Sequence, residues 1–445
     1  MKSYYYLLRF AFNGIKNIEN RIELEFYKKT IDKTFDPEKY RVKAIYGENG
    51  SGKTAIITAV KIMKELILSD DYLTDSINQA KLHKIVNIHT NKVEMSMDFI
   101  KRHSYETDEN SIVYRFEIEI EPNDCGKYEI VKETLLAKTG EYSASKFRII
   151  YECRNGIIIS AAMEDDAYNV ILKQSANLLT SKSLTRICLD RIADNLKLKG
   201  AADFYKSVLD LLYVSFNINV SLEESDQHEE YFINKEFELV KSNSDVEASY
   251  RKMLRQMDLK IKNGRKSLYK DLYDGYKDEV AKLENFIKLF KRDLISIEID
   301  KKENGLFYET SLVMNYGEYS IDSEFESTGI KKLIRLFNYL NYAASGGIVF
   351  IDEMDSNIND VYLAIIIEFI VEYGRGQLCF TTHNTSPMSV LRKNKKSIDF
   401  ISTDNRIINW VSNGNFAPES LYRQGMIEYL PFNVEPEDFI GVLEG

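Results

Sequence analysis

A short glycine-rich segment constrains the fold of this chain more than any other stretch of its sequence. The segment has the pattern G-x-x-x-x-G-K-T and consists of Gly47, Glu48, Asn49, Gly50, Ser51, Gly52, Lys53 and Thr54. An apolar run, 42–46, precedes it, and apolar residues at helical spacing follow it. This context predicts a strand, a tight loop and a helix. The simpler alternative is an ordinary glycine turn, which would not require an apolar strand before it and a helix after it.

Phosphate binding explains why these residue types occur together. Glycines let backbone N–H groups turn towards phosphate oxygens, and the N-terminus of the following helix adds positive potential. Lys53 is predicted to reach the β- and γ-phosphates, and the Thr54 hydroxyl is predicted to bind Mg²⁺. We therefore expect the eight residues to bind ATP together with Mg²⁺.

Two carboxylates follow a second apolar run. Residues 348–351 read Ile-Val-Phe-Ile and lead directly into Asp352 and Glu353. In a doubly wound sheet, ligands bind at the carboxyl ends of the strands. Asp352 is therefore expected to hold Mg²⁺, directly or through water, and Glu353 to orient or deprotonate the attacking water. Taken alone, the segment also fits a buried strand that ends in Asp without any functional role.

Two further segments carry candidate phosphate contacts. Ser327, Thr328 and Gly329 open a helical pattern, so Ser327 is either a simple N-cap or part of a Ser-x-Gly helix start that presents N–H groups to a γ-phosphate. His383, one of five histidines, ends the apolar run 378–382. It is either a structural histidine or a phosphate contact at the end of a neighbouring strand.

Composition narrows the class of protein. The chain has 445 residues, and its 44% hydrophobic and 29% charged residues are typical of a globular protein. A net charge of −10 argues against a surface that coats nucleic acid, although a local basic groove stays open. Without a run of about 18 apolar residues or a signal-peptide pattern, we expect a cytoplasmic protein with no membrane partner. The four scattered cysteines indicate neither a zinc site nor a disulfide framework.

The hydrophobic periodicity predicts an α/β fold with a mixed sheet, in three parts. Residues 1–164 are expected to hold the glycine-rich loop and an antiparallel β-subdomain built from 1–40 and 92–160. Residues 165–293 are expected to form a helical insertion lobe, with one helix over about 266–293. Residues 294–445 are expected to complete the domain with Ser327, Asp352 and His383.

The order of these motifs resembles that of ABC-type P-loop ATPases of the SMC and RecF superfamily, and more narrowly of the AAA-15 and AAA-21 group. In that resemblance 47–54 is the Walker A motif and 348–353 is the Walker B motif with its catalytic Glu. Ser327 and Gly329 belong to the signature motif, 355–357 is the D-loop, and His383 is the switch histidine. The C-terminal segment 421–431 is similar to the ending common in the AAA-15 group.

The resemblance implies a function and partners. It implies an ATPase that pairs head-to-tail as a dimer or larger homo-oligomer, with ATP between subunits. By resemblance the ATPase of PARIS-type anti-phage systems fits best, and that of Septu-type systems, which works with an HNH nuclease, is next. Either implies a sensor or scaffold that holds a separate effector, a nuclease, and answers a phage trigger protein. The alternative is a RecF-like repair ATPase that closes on duplex DNA. A transporter subunit fits poorly, because the signature lacks the transporter sequence and the insertion is rich in strands.

Overall fold

Three β-sheets organise the chain in the computed structural model, which describes residues 3–103, 111–189, 200–222, 259–411 and 417–427. The described strands are β1 (Ser3–Asn13), β2 (Ile22–Glu25), β3 (Val42–Gly47), β4 (Val93–His103), β5 (Ile112–Pro122), β6 (Tyr128–Thr139), β7 (Arg148–Arg154), β8 (Ile157–Ala161), β9 (Ile218–Ser221), β10 (Lys266–Tyr269), β11 (Ser296–Asn304), β12 (Phe307–Asn315), β13 (Ser320–Asp322), β14 (Ile348–Ile351), β15 (Gln377–Thr381), β16 (Ile398–Ile401) and β17 (Ile407–Asn409).

The described helices surround these sheets. They are α1 (Lys53–Leu68), α2 (Ser76–Ile85), α3 (Asp165–Ser175), α4 (Leu184–Leu189), α5 (Ala202–Asn217), α6 (Tyr273–Lys288), α7 (Thr328–Ala344), α8 (Asp360–Tyr373), α9 (Ser386–Leu391) and α10 (Pro418–Arg423). None of the helices in the described ranges is long and apolar enough to cross a bilayer.

The first sheet is the antiparallel β-subdomain expected from 1–40 and 92–160. Its seven strands run in the order β2-β1-β4-β5-β6-β7-β8, and every pairing is antiparallel. Its inner face packs on α1 and α5 in one continuous hydrophobic core, as the alternating pattern of apolar residues requires. This part of the predicted fold is confirmed.

The central sheet positions the motifs. Its order is β17-β16-β3-β15-β14-β9, and all pairings are parallel except that between β16 and β17. Strands β3, β14 and β15 are buried along their whole length, as expected for parallel strands covered on both faces. Their carboxyl ends meet at one edge, and each leads directly into one of the predicted motifs. The predicted α/β class with a mixed sheet is confirmed.

The expected helical lobe, 165–293, is corrected in two places, although its boundaries stay a prediction. First, β9 lies inside this range and pairs in parallel with β14, so the insertion contributes an edge strand to the central sheet. Second, the expected helix over about 266–293 is shorter. Residues 266–269 form β10, which pairs with β12, and the helix itself spans Tyr273–Lys288. Pairing between distant strands has overridden the local helical periodicity there.

Two polar clusters connect the antiparallel sheet to its neighbours. The Gln377 side chain accepts a hydrogen bond from the Leu7 N–H (2.7 Å) and donates one to the Leu7 carbonyl (2.9 Å), where β1 has a register shift. The buried Asp210 carboxylate of α5 accepts hydrogen bonds from the Tyr5 and Tyr114 hydroxyls (both 2.8 Å) and from Lys101 Nζ (2.7 Å). These contacts fix the antiparallel sheet on α5 and on strand β15 of the central sheet.

Candidate functional site

The glycine-rich loop leaves β3 and enters α1 in a conformation that requires its glycines. A Cβ on Gly47 would lie 2.5 Å from the carbonyl oxygen of Ile401 and 2.6 Å from Ser51 Oγ, so no side chain fits there. Gly52, the N-cap of α1, has φ +109°, a left-handed conformation that side chains rarely adopt. The backbone is therefore shaped as phosphate binding at a helix N-terminus demands.

Lys53 lies inside this loop. Its side chain is 7% exposed, and Nζ donates to the carbonyl oxygens of Gly47 and Glu48, each at 2.9 Å. Burial lowers the pKa of Lys53, while the nearby carboxylates Asp352 and Glu353 oppose that shift. Both carbonyl oxygens belong to the glycine-rich loop, so the ammonium is held within the segment that the sequence predicts to bind phosphate.

Two buried polar atoms of the loop have no hydrogen-bond partner among the described residues. They are Ser51 Oγ, on a fully buried residue, and Glu48 Oε1. Buried polar atoms are nearly always paired, so unpaired ones indicate room for a polar ligand. Ser51 Oγ is a hydroxyl that can donate to a phosphate oxygen, so it fits the triphosphate that the sequence predicts, whereas the Glu48 carboxylate oxygen can only accept and adds nothing to that fit.

The Walker B acids are held by a residue that the motif analysis did not assign. The Thr381 hydroxyl donates to Asp352 Oδ1 (2.6 Å) and accepts a hydrogen bond from the Glu353 N–H (2.8 Å). Glu353 has φ +47°, an uncommon conformation for a residue with a side chain, and its carboxylate is exposed. Thr381 thus fixes a buried carboxylate and an outward-facing one next to each other, as separate metal-binding and water-activating roles require.

The donor set fits Mg²⁺. Within the described ranges no three His, Cys, Asp or Glu side chains cluster closely enough to hold a metal ion. Mg²⁺ is usually held by one or two protein oxygens together with substrate phosphates and water, so a closed protein cage is not required. The Thr54 hydroxyl and the Asp352 carboxylate are the residues that would hold it, because both follow strands whose carboxyl ends meet at this edge.

His383 belongs to the same site. Its backbone N–H donates to Asp355 Oδ2 (3.2 Å), which joins the switch-histidine loop to the D-loop. Burial and the Lys53 charge lower the pKa of His383, and the carboxylates of Asp355, Glu353 and Asp352 oppose them. A cavity of about 510 Å³ opens next to it, lined by Asp355, Asp360, His383, Asn384, Thr385, Tyr422 and Arg423.

Ser327 and Gly329 lie at the start of α7. Ser327 is the N-cap of α7, and its Oγ accepts a hydrogen bond from the Ile330 N–H (3.4 Å). Gly329 lies against the D-loop, where a Cβ would be 3.3 Å from the Asn357 carbonyl oxygen. No hydrogen bond or ion pair among the described residues joins this helix start to the glycine-rich loop, although Gly329 and, one turn later, Lys332 contact the segment that follows Asp352.

Sequence reasoning missed several residues that shape the site. Asn17 Nδ2 donates to the Gly50 carbonyl (2.8 Å) from the turn after β1, a segment that resembles the family's N-terminal strand and turn but gave no role for Asn17. Lys332 Nζ donates to the Glu353 carbonyl (3.0 Å) and to Ser356 Oγ (2.6 Å) from an ordinary helical position. The C-terminal segment could be recognised from its resemblance to the ending common in the AAA-15 group. Within it, Tyr422 stacks on Phe400 with ring centroids 5.4 Å apart.

Comparison with known proteins places the chain in a family. Residues 43–388 match the family AAA_21, described as "AAA domain, putative AbiEii toxin, Type IV TA system". The search of curated proteins found no match.

Among solved structures, the chain is similar to two Smc head domains, each with a TM-score of 0.40 and 13% identity. One is from Pyrococcus furiosus, with an extended coiled coil and bound to the C-terminal domain of ScpA; the match covers 91% of this chain and 96% of that one. The other, with a coiled coil and joint, is from Pyrococcus yayanosii, with 92% and 97% covered. The family match extends from β3 to α9 and includes the Walker, signature and switch segments, and the chain therefore belongs to the AAA_21 family.

Proposed function

We propose that this protein binds and hydrolyses ATP with Mg²⁺, and that it uses the cycle to control a separate effector protein. The observation that carries the proposal is the convergence of three strand ends, which brings Lys53, Asp352, Glu353 and His383 into one site. In this assignment Lys53 and the N–H groups of the loop bind the phosphates, and His383 contacts the terminal one.

Glu353 is the proposed catalytic base. Its carboxylate is exposed at the site, whereas Asp352 is buried and bonded to Thr381, so only Glu353 is free to orient and deprotonate water. Bound Mg²⁺ would polarise the phosphate oxygens and neutralise developing charge. Thr54 and Asp352 are the proposed residues that hold it.

The signature residues supply the proposed link between subunits. Ser327 and Thr328 are exposed at the start of α7, and no hydrogen bond or ion pair among the described residues joins them to the glycine-rich loop. We assign them to the ATP of a second copy in a head-to-tail pair, so that the nucleotide lies between two subunits. ATP would then hold the subunits together and hydrolysis would weaken the contact.

More specifically, the proposed role is that of an anti-phage sensor or scaffold, which holds a nuclease and releases it when a phage trigger protein is present. The family description supports a partner-dependent role, because it names a toxin of a toxin–antitoxin system. DNA is the competing ligand, since a repair clamp would use the same ATP-dependent pairing.

A Glu353→Gln variant tests the enzymatic part. Loss of the base should lower phosphate release by at least about 100-fold while ATP still binds, because the metal-binding residues are intact. Hydrolysis at the wild-type rate would show that another group activates water.

Plaque counts on cells that carry this gene with its neighbouring genes, in wild-type and Glu353→Gln form, test the defence role. Salt-dependent binding of duplex DNA by the purified protein would favour the repair clamp instead.

A further inference from the structure

Helix α8 has apolar residues on its outer side as well as on the side that faces the core. Leu363, Ile366, Ile367 and Ile370 point inward and are at most 6% exposed, packed in the core beneath the central sheet. A surface helix normally carries polar residues on its opposite side, and a helix that is apolar all round is normally buried. The outer side of α8 departs from this rule.

Four apolar side chains form a row along that outer side. Val361 is 63% exposed, Ile365 55%, Phe369 50% and Tyr373 68%. Their spacing of four residues makes them one i±4 ridge, the feature that packs into the groove of another helix in the commonest class of helix packing. We call these four residues the outer ridge. At 1.5 Å per residue it extends along about 18 Å of the surface.

The charges on α8 itself are all of one sign. Asp360, Glu368 and Glu372 are exposed, and α8 contains no Lys, Arg or His. Arg375, the first basic residue, follows after the helix has ended. An exposed apolar row bordered by carboxylates is complementary to an apolar row bordered by ammonium or guanidinium groups.

We propose that the outer ridge is the docking site of a partner protein, which binds it with an amphipathic helix whose apolar row is flanked by Lys or Arg. A second copy of α8 is disfavoured, because it would bring Glu368 and Glu372 against the same carboxylates. An anionic membrane is disfavoured for the same electrostatic reason. The inference rests on the proposed function in one respect, since it gives the chemistry by which the effector would be recognised.

The position of the ridge fits such a role. α8 begins at Asp360, a few residues after Glu353 and the D-loop, and Asp360 accepts a hydrogen bond from Asn384, next to His383 (2.8 Å). A partner docked on α8 would therefore lie on the helix that leads directly out of the catalytic segment.

The test uses two labelled helical peptides of about 18 residues as probes, long enough to cover the ridge. One has Leu at every third or fourth position and Lys at the flanking positions, and its twin has Glu in place of Lys. Fluorescence anisotropy measures binding to the full chain, to Ile365→Ser/Phe369→Ser, to the charge variant Glu368→Lys/Glu372→Lys, and to the control Leu172→Ser, whose leucine is 37% exposed on α3.

The wild type should bind the Lys peptide at least tenfold more tightly than the Glu peptide. The ridge variant should lose at least tenfold in affinity, the control should lose none, and the charge variant should reverse the preference. Equal binding by the ridge variant, or an unchanged preference in the charge variant, would overturn the proposal. So would a dimer that light scattering finds only with the ridge intact, or ridge-dependent binding to phosphatidylcholine–phosphatidylglycerol vesicles.

Phosphate release by the same variants separates this inference from the proposed function. The substituted side chains face away from the site, so ATP hydrolysis should stay at the wild-type rate in all of them. If the wild type fails to hydrolyse ATP, the proposed function fails, whereas peptide binding without ATP still decides the role of the ridge.

Discussion

Lys53 is the residue on which the proposed phosphate binding would depend most directly. Its ammonium bonds to loop carbonyls that a triphosphate would lie beside, so Lys53→Ala removes the principal side-chain cation of the loop. We expect this variant to lose at least about tenfold in ATP affinity, measured by equilibrium binding of a fluorescent ATP analogue. Lys81→Ala, which changes an exposed lysine of α2, should bind as the wild type does. Affinity within threefold of wild type in Lys53→Ala would contradict the predicted role.

The site residues that could be predicted from the sequence differ physically from those that could not. Lys53, Asp352 and His383 follow directly from apolar strands, so a local pattern places them at one sheet edge. Thr381 and Asn17 act through contacts with residues distant in sequence, and no local pattern encodes the distance between two loops. The roles of Thr381 and Asn17 follow only from the folded structure, in which the loops that they connect lie next to each other.

At the scale of elements, Lys332 connects α7 to the catalytic segment. Its buried ammonium bonds to the carbonyl of Glu353, whose backbone is held in a left-handed conformation, and to Ser356 of the D-loop. Lys332→Met keeps the length of the side chain but removes both bonds. We expect ATP affinity within twofold of wild type and a kcat lower by about tenfold, measured by steady-state phosphate release.

The neighbouring lysine provides the matched control for that experiment. Lys331 Nζ donates to the Glu324 carbonyl, away from Glu353. Lys331→Met should therefore keep the wild-type kcat. If both variants lose activity equally, the effect would come from general destabilisation of α7 rather than from the position of Glu353.

The link between α5 and the antiparallel sheet gives a prediction about stability. Burial, with the Asp210 carboxylate next in effect, raises the pKa of Tyr5 and of Tyr114, so both hydroxyls remain donors to it. Asp210→Ala would leave Lys101 without its carboxylate partner and should lower the free energy of unfolding by about 3 kcal/mol in urea titrations. Asp203→Ala, in the exposed first turn of the same helix, should barely change the midpoint; similar losses in both would exclude Asp210 as the link.

The secondary structure of an element could be predicted where its own hydrophobic periodicity determines it. It could not be predicted where pairing with a distant strand determines it. In the antiparallel sheet, β5 alternates between apolar and polar residues from Arg115 to Glu121, and α1 has a broad apolar face. By contrast β9 is four residues long and follows α5 without a break, so nothing local separates it from the helix. Its strand conformation depends on β14, which is distant in the sequence.

At the scale of the whole molecule, the prediction concerns pairing. Ser327→Arg places a long cation on the exposed start of α7, where a second copy is proposed to meet the phosphates. Loss of the cap costs only about 1 kcal/mol, so the chain should still fold. In a Glu353→Gln background with ATP, light scattering should find pairs that Ser327→Arg abolishes and the control Ser76→Arg preserves. A monomeric Ser327→Arg protein that hydrolyses ATP normally would contradict the shared site.

The edge strand β9 has a consequence for how such a chain can be re-engineered. The Ser221 carbonyl accepts the Asp352 N–H at 2.9 Å, so the segment before the second Walker motif is anchored by the insertion itself. Removal of 165–293 as a unit would expose the backbone of β14 along one side and create a free edge beside Asp352, the proposed Mg²⁺ ligand. A chimera that borrows the insertion of a relative should therefore exchange only residues beyond Ser221, and keep α5 and β9 with the recipient as parts of its catalytic sheet.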